Sequence, residues 1–258
     1  MGIEIIDTNS ENVLKYGLCG YKDIKKAGYP EKLEWLKDRL AEGLKIKTLY
    51  SDRDGTQGMI EYIPGKACWR PVDADGYLFI HCIFVGFKSG YKNKGYGSLL
   101  LQECIEDAGK GNYRGVAVVT RKGPFMAGKE LFMKNGFEVV DSAPPDFNLL
   151  VKKLKTNAAS PGFKGNWEER LKRYSKGLTI FRAYQCPYTV KNVNDISEIA
   201  ENTYGIKPKI ITLTSFEEAQ DSPCAFGTFC IVLNGKLVAC HPISGGRFKN
   251  IMKNELRD

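Results

Sequence analysis

The chain has 258 residues, of which 43% are hydrophobic and 26% are charged, and its formal net charge is +8. This is an ordinary globular composition, and no apolar run approaches the roughly 18 residues of a membrane span. The modest positive charge forms no basic stripe and the first residues do not resemble a signal peptide, so we expect a cytoplasmic protein with neither a membrane nor a nucleic-acid partner.

Eight cysteines are scattered along the chain, none of them in a C-x-x-C pair, and there are only two histidines. This pattern predicts reduced thiols and no metal site. Cys82 and Cys104 lie within apolar patterns and are predicted to be buried.

The first half of the chain mixes helical and strand patterns. Leucines spaced by three or four residues predict a helix over 30–44. A turn at 51–55 separates two predicted hairpin strands, 46–50 and 58–64. The apolar run at 77–85 predicts a further strand.

A glycine-rich turn follows that run and is the most informative feature of the sequence. Lys92-Asn93-Lys94-Gly95-Tyr96-Gly97-Ser98 opens a helix with an apolar face that includes Leu100, Leu101, Cys104, Ile105 and Ala108. The first turn of a helix leaves backbone N–H groups unpaired, and glycine lets an anion approach them closely. The turn therefore predicts a phosphate site; the alternative is a solvated lysine turn that only caps the helix. It is neither a dinucleotide loop, because Leu100 occupies the third glycine position, nor a P-loop.

The segments after this turn complete a family resemblance. They are a strand at 115–120, a helix at 127–135 that ends in Asn135-Gly136-Phe137, and a strand at 146–153. Together with Lys92-x-x-Gly95-x-Gly97, which is similar to a Q/R-x-x-G-x-G/A signature, residues 1–155 resemble the GNAT superfamily of acyl-CoA-dependent N-acetyltransferases.

The resemblance implies a fold, a cofactor and a reaction. The fold would be α/β (α+β), with a mixed, mostly antiparallel sheet and helices on both faces. Acetyl-CoA would be bound by Phe84, Val85, Lys92, Asn93, Lys94, Gly95, Tyr96, Gly97 and Ser98. The backbone N–H of Val85 would bind the acyl oxygen, and Gly86 would suit a splayed or bulged strand. The acetyl group would pass to a primary amine of a small molecule or peptide.

The same resemblance suggests a general base. His81 lies eleven residues before Lys92, where histone-acetylating members carry a glutamate, and imidazole accepts protons near neutral pH. Glu61 on the neighbouring strand is the second candidate. The structural alternatives are a packed histidine and a solvated hairpin position. Phe132 replaces the tyrosine that serves many members as general acid, and Thr120 and Arg121 are expected near the acceptor unless they merely end a strand.

A small polar segment divides the chain. Residues 156–162 are rich in small residues and end in Pro-Gly, which is typical of a linker. We therefore predict an N-acetyltransferase domain at 1–155, a linker at 156–164 and a second domain at 165–258.

The second half has the element order of a thioredoxin fold. After a short helix at 167–174, the patterns predict strands at 178–181 and 209–213, helices at 190–204 and 247–256, and a hairpin at 228–240. The hairpin turns at Asn234-Gly235, which suits a type I′ turn. The whole segment resembles the YoaP-type domain that accompanies GNAT domains in some bacterial proteins.

The second domain contains one candidate reactive thiol. Gln185-Cys186-Pro187-Tyr188-Thr189 resembles the glutaredoxin turn C-P-Y-C, with threonine in place of the second cysteine. A cysteine at a helix N-terminus is activated by the helix amides and dipole. Thr189 cannot resolve a mixed disulfide, although Cys224 could lie close enough to do so. Gly227 occupies the position of the cis-proline that faces the cysteine in thioredoxin folds.

Three functions follow from these patterns. The first is an acetyl-CoA-dependent N-acetyltransferase with an accessory thioredoxin-like domain, favoured by His81 and the intact glycine turn. The second is a thiol-active redox protein with an auxiliary GNAT domain, weakened by Thr189. The third is a non-catalytic CoA-binding module, favoured by Phe132. The sequence indicates no particular acceptor and no oligomeric state.

Overall fold

The computed structural model describes residues 2–19, 23–86 and 88–256. These residues group into two compact units. The first unit comprises residues up to 25, 33–68 and 72–164, and the second comprises 26–32, 69–71 and 165 onwards. The domain limits inferred from the sequence, 1–155 and 165–258, stay a prediction, because compact grouping does not show that a part folds alone.

The first part of the chain is built around a seven-stranded sheet. Its helices are α1 (Val13–Tyr16), α2 (Tyr29–Ala41), α3 (Tyr96–Lys110) and α4 (Lys129–Lys134). Its strands are β1 (Ile3–Thr8), β2 (Lys45–Ser51), β3 (Gly55–Pro64), β4 (Val72–Asp73), β5 (Leu78–Val85), β6 (Gly115–Thr120), β7 (Glu138–Ala143), β8 (Phe147–Lys153) and β9 (Gly162–Phe163). The sheet order is β1-β2-β3-β5-β6-β8-β7, and β4 pairs separately with β9.

The sheet is mostly antiparallel, as expected. Only β5 and β6 run parallel, and α3 connects them. The apolar face of α3 packs with the inward residues of the central strands, so that Leu100 and Leu101 join Ile60, Tyr62 and Ile80 in one buried cluster. A parallel pair with a crossover helix places the helix N-terminus at the carboxyl ends of both strands.

The irregularity in β5 lies earlier than the sequence suggested. The pairing of β3 with β5 shifts register between Glu61, opposite Cys82, and Tyr62, opposite Ile80, so His81 is the extra residue. The bulge is thus not at Gly86, which follows the end of β5 with φ +94°, beyond the point where β5 and β6 cease to pair. A bulge reorients side chains locally, and here the reoriented residue is the candidate base.

The second unit contains a four-stranded sheet. Its helices are α5 (Trp167–Lys172), α6 (Tyr188–Tyr204), α7 (Phe216–Gln220) and α8 (Gly245–Glu255), and its strands are β10 (Leu178–Arg182), β11 (Lys209–Thr212), β12 (Phe229–Leu233) and β13 (Lys236–Ala239). The strand order is β11-β10-β12-β13. Strands β10 and β11 are parallel, and the other pairs are antiparallel. Asn234 and Gly235 both have positive φ, as a type I′ turn requires.

Within the part of the chain that the structure describes, no helix is both long enough and apolar enough to cross a membrane.

Candidate active site

A gap opens in the first sheet where its two parallel strands diverge. Strand β5 pairs with β6 only from Leu78–Ile80 to Val116–Val118. Beyond that point β5 continues to Val85 beside β3, and β6 continues to Thr120 beside β8. Beyond the paired residues, the backbone N–H and C=O groups on the facing edges of β5 and β6 therefore form no hydrogen bonds from one strand to the other. Phe84 and Val85 are half-buried on the β5 side of this gap.

The glycine turn lies at the same edge of the sheet. Helix α3 begins after Gly95, which has φ +82° and makes no side-chain cap, and the first turn of α3 carries no acidic residue. A Cβ at Gly95 would meet no atom within 4 Å, so the backbone angle and not the available space requires glycine there. Lys92, Asn93 and Lys94 are exposed beside this N-terminus. The arrangement suits an anion.

A buried tyrosine fixes the start of the turn. The Tyr91 hydroxyl donates to Asp54 Oδ2 at 2.8 Å and lies 2.8 Å from Ser51 Oγ, while Lys88 forms an ion pair with Asp54. Hydrogen bonds from Lys88 and Tyr91 lower the pKa of Asp54. These residues could not be predicted from the sequence, because no local pattern signals a contact between positions about 40 residues apart.

A second contact supports the first turn of α3 from the other side. Asn135 Nδ2 donates to Ser98 Oγ at 3.0 Å and to the Leu131 carbonyl at 2.7 Å. The Asn135 carbonyl in turn accepts from Lys152 Nζ at 2.7 Å. The Asn135-Gly136-Phe137 turn thus contacts the predicted phosphate site at Ser98. This contact is a structural reason for the occurrence of the two sequence motifs together.

The structure brings together the two candidate bases. His81 Nδ1 lies 3.5 Å from Glu61 Oε1, and their side chains are 0% and 1% exposed. The solvated interpretation of Glu61 is therefore wrong. Ile60 and Tyr62, which flank Glu61, point into the cluster beneath α3, so by strand alternation Glu61 points to the opposite face. The rings of Trp35 and Phe79 lie with centroids 6.5 Å and 6.0 Å from the imidazole.

The position expected for a general acid is apolar and buried. Phe132 is 1% exposed and packs edge to face on Phe137 at 5.6 Å. At the end of β6, Arg121 is held by Asp146 and lies over the ring of Phe147. Thr120 is 1% exposed.

In the second unit, Cys186 is half-buried and lies two residues before α6. Thr189, at the position of the second cysteine in the related turn, is buried, and its hydroxyl donates to the carbonyls of Cys186 at 2.8 Å and Ala183 at 3.2 Å. Thr189 therefore stabilises the turn through hydrogen bonds, whereas a cysteine at this position could resolve a mixed disulfide.

A buried polar network surrounds this turn. Arg70 Nη1 donates to the Trp69 carbonyl at 2.9 Å and to Gln185 Oε1 and Thr228 Oγ1, each at 3.3 Å. All three side chains are at least 94% buried. Since Gln185 precedes Cys186, the network fixes the backbone that carries the thiol.

The remaining thiols are mostly inaccessible. Cys68, Cys104, Cys224, Cys230 and Cys240 are buried, Cys82 is half-buried, contrary to the expectation of full burial, and all eight cysteines are free of disulfides. Burial raises the pKa of Cys104, Cys224 and Cys230. Among the residues described, no group of three or more His, Cys, Asp or Glu side chains is placed to hold a metal ion.

Comparisons with known proteins give one full-length relative. The chain is 32% identical over 251 residues to the uncharacterized N-acetyltransferase YoaP of Bacillus subtilis strain 168, which covers 96% of this chain and 97% of the relative. A family model described as YoaP-like matches residues 209–250.

Solved acetyltransferases are similar to part of the chain. A GNAT-family acetyltransferase from Staphylococcus aureus Mu50 has 20% identity and a TM-score of 0.43, covering 60% of this chain and all of that one. The PaiA N-acetyltransferase of Thermoplasma acidophilum, solved with coenzyme A, has 20% identity and a TM-score of 0.42, covering 59% of this chain and 99% of that one. YncA of Salmonella typhimurium, solved with acetyl-CoA, has 16% identity and a TM-score of 0.45, covering 62% and 98%.

Proposed function

We propose a donor, a site and a mechanism for this chain from the premise that it belongs to the YoaP family of N-acetyltransferases. The donor is acetyl-CoA, and the reaction is transfer of its acetyl group to a primary amine of a small molecule or peptide. The observation that carries this proposal is the uncapped N-terminus of α3 behind Gly95, at the edge where β5 and β6 diverge.

The pyrophosphate of CoA is bound at this N-terminus. Backbone N–H groups from Asn93 to Ser98 donate to its oxygens, and Lys92 and Lys94 add positive charge from the exposed side. The acyl arm enters the gap beside β5, where Phe84 and Val85 line its path. The Val85 N–H donates to the acyl oxygen and stabilises the oxyanion that forms during attack.

The buried Glu61–His81 pair supplies the base. Glu61 lies on the Nδ1 side of His81, so a proton on Nδ1 points toward the carboxylate. Nε2 is then unprotonated and can accept a proton. His81 takes a proton from the acceptor ammonium, and the neutral amine attacks the thioester carbon. Because the His81 side chain is 0% exposed in the free protein, this transfer requires a path to Nε2 that the acceptor opens when it binds.

The second unit is proposed to be a thioredoxin-like accessory domain. Its sheet order β11-β10-β12-β13, with α6 joining the parallel pair β10 and β11, supports that fold. Because Thr189 is engaged as a hydrogen-bond donor within the turn, we assign the domain a positioning role and do not propose a thiol redox cycle.

A matched pair of substitutions tests the cofactor site. Gly95→Asp and Gly95→Asn place side chains of nearly the same shape in the same left-handed backbone position, and both residues tolerate it comparatively well. Only aspartate adds negative charge to the cradle. We expect Gly95→Asp to abolish CoA binding measured by calorimetry, and Gly95→Asn to retain measurable affinity. Equal, wild-type affinity in both variants would overturn the site.

The reaction itself is tested by thiol release. Purified protein with acetyl-CoA and a panel of primary amines, including polyamines, amino acids and lysine peptides, should release CoA thiol only with its acceptor. Release should disappear in Gly95→Asp and fall about 10²–10³-fold in His81→Ala. Binding of CoA without release for any amine in the panel would favour a non-catalytic CoA-binding module.

A further inference from the structure

A buried hydroxyl without a hydrogen-bond partner lies at the end of β6. Thr120 is 1% exposed, and its Oγ1 finds no donor or acceptor among the described residues. The other residues of β6 after Gly115 are Val116, Ala117, Val118 and Val119, so the strand is otherwise apolar. Valine has nearly the shape of threonine, and it would fill this position without burying an unpaired hydroxyl.

An unpaired buried hydroxyl lowers stability, because folding removes it from water and returns no hydrogen bond. Residues that lower stability in this way are concentrated at functional positions, where a bound molecule supplies the missing partner. The loss of folding stability at Thr120 therefore indicates a ligand that, when bound, forms a hydrogen bond with this hydroxyl.

The position of Thr120 identifies which part of a ligand it meets. It lies two residues beyond Val118, the last residue of β6 that pairs with β5, and so it borders the gap between the two strands. By strand alternation its side chain shares a face with Val116 and Val118, both members of the cluster beneath α3. Helix α3 carries the proposed pyrophosphate site at the same edge of the sheet, and Phe132, in the same cluster, has no proton to donate.

We propose that the Thr120 hydroxyl donates a hydrogen bond to the sulfur of the acyl donor and stabilises the departing thiolate. This inference rests on the proposed acetyl-CoA site. As the amine nitrogen bonds to the carbonyl carbon, the C–S bond breaks and its electron pair stays on sulfur. His81 already holds the proton of the acceptor ammonium, and the second proton, which the nitrogen loses once it has bonded to carbon, passes to water. Thr120 keeps its proton and shares it with the thiolate, so the products are the acetamide and CoA thiolate.

The test compares CoA with desulfo-CoA, which lacks only the sulfur. At about pH 9.5, where an alkyl thiol is largely ionised, wild-type protein should bind CoA about tenfold more tightly than desulfo-CoA, the range of a hydrogen bond to a charged group. At about pH 6.5 the two affinities should converge. Thr120→Val should abolish the preference at high pH, and Thr120→Ser, which keeps the hydroxyl, should retain it.

A structural role predicts a different result. If the hydroxyl served only the fold, Thr120→Val would lower the melting temperature of the free protein and weaken CoA and desulfo-CoA equally. We expect the melting temperature of Thr120→Val to equal or exceed that of wild type, because an unpaired hydroxyl is removed. Thr120→Ala provides a second hydroxyl-free variant if valine is not accommodated.

The outcomes separate this inference from the proposed function. If wild type binds neither CoA nor desulfo-CoA, the cofactor site itself is wrong. If both bind and Thr120→Val keeps the wild-type preference for CoA at high pH, the cofactor site stands and the thiolate contact is overturned.

Discussion

At the scale of single residues, the Glu61–His81 pair is the clearest product of tertiary structure. The family resemblance implied His81 as the base, and Glu61 on the neighbouring strand was the alternative base. The pairing of β3 with β5 shifts register between Cys82 and Ile80, and in the folded chain His81 Nδ1 lies 3.5 Å from Glu61 Oε1. A one-residue shift in strand pairing is not encoded by any local pattern, so the sequence could nominate both residues without joining them.

The first prediction concerns the base. His81→Ala should lower kcat/KM about 10²–10³-fold, the usual contribution of general base catalysis, with partial rescue at high pH where more of the acceptor is neutral. CoA affinity should be unchanged, because the imidazole lies on the sheet face opposite α3. Unchanged activity near neutral pH would leave His81 as a packing residue.

The second prediction tests whether Glu61 acts through His81. Glu61→Gln keeps the side-chain shape and removes the charge, so it should lower kcat/KM by less than His81→Ala does. Once His81 is replaced by alanine, the Glu61 carboxylate has no imidazole to orient, so the double variant should have the same activity as His81→Ala alone. Additive losses measured in this cycle would show that Glu61 acts independently of His81.

At the scale of elements, the turn before α3 depends on a support 40 residues away in sequence. Tyr91→Phe removes the hydroxyl that contacts Ser51 and Asp54 and should cost about 1 kcal/mol in the free energy of unfolding, typical of one hydrogen bond. We expect CoA affinity to fall several-fold as the turn loses its anchor. An affinity equal to wild type, with the stability loss present, would mean that the turn is ordered without Tyr91.

The same anchor carries a pH dependence. Hydrogen bonds from Lys88 and Tyr91 lower the pKa of Asp54 below its ordinary value of 3.8, so its contribution to stability is present above that value. The contribution is lost as the pH falls through the lower, folded pKa. In urea titrations, the stability difference between wild type and Asp54→Asn should be constant from neutral pH to about pH 4 and shrink below it. A constant difference down to about pH 2 would contradict this.

Local signals predicted most elements, and their limits explain the rest. Asn234-Gly235 fixes a hairpin through its backbone angles, and glycine before an amphipathic run places the start of α3. The two-residue strands β4 and β9 carry no such signal, because they exist only by pairing with each other across about 90 residues. β9 also lies within the segment that looked like linker from its composition alone.

At the scale of the whole molecule, the thiol and the transfer site are predicted to act separately. Cys186 precedes α6 and is half-buried, whereas five of the eight cysteines are buried. Cys19 and Cys82 are also half-buried, but only Cys186 among these three lies next to a helix N-terminus. Limited alkylation with iodoacetamide, mapped by mass spectrometry, should therefore modify Cys186 first. Cys186→Ser should leave CoA binding intact and acetylation of small amines largely so. Loss of transfer with preserved CoA binding would give the second unit a direct part in acceptor binding or chemistry.

The second unit also contains residues from far earlier in the chain, which composition could not reveal. Arg70 donates to Gln185 and Thr228, and a Cβ on Gly28 would lie only 1.9 Å from the Pro187 carbonyl oxygen. Close backbone approach of this kind requires glycine and fixes both partners. The segments 26–32 and 69–71 are thus structural parts of a unit whose main body begins at residue 165.

The last prediction follows from this composition of the second unit. A fragment of residues 165–258 lacks Arg70 and the Gly28 segment, so Gln185 and Thr228 lose a buried donor, at a cost of about 2 kcal/mol for a charged hydrogen-bonding group. We expect amides of β10 and β12 to exchange with solvent faster in the fragment than in the intact chain. Arg70→Met in the full chain should reproduce part of the change, since it keeps the segment and removes only the guanidinium. Equal protection in fragment and intact chain would instead establish residues 165–258 as an independently folding domain, as the sequence pattern predicts.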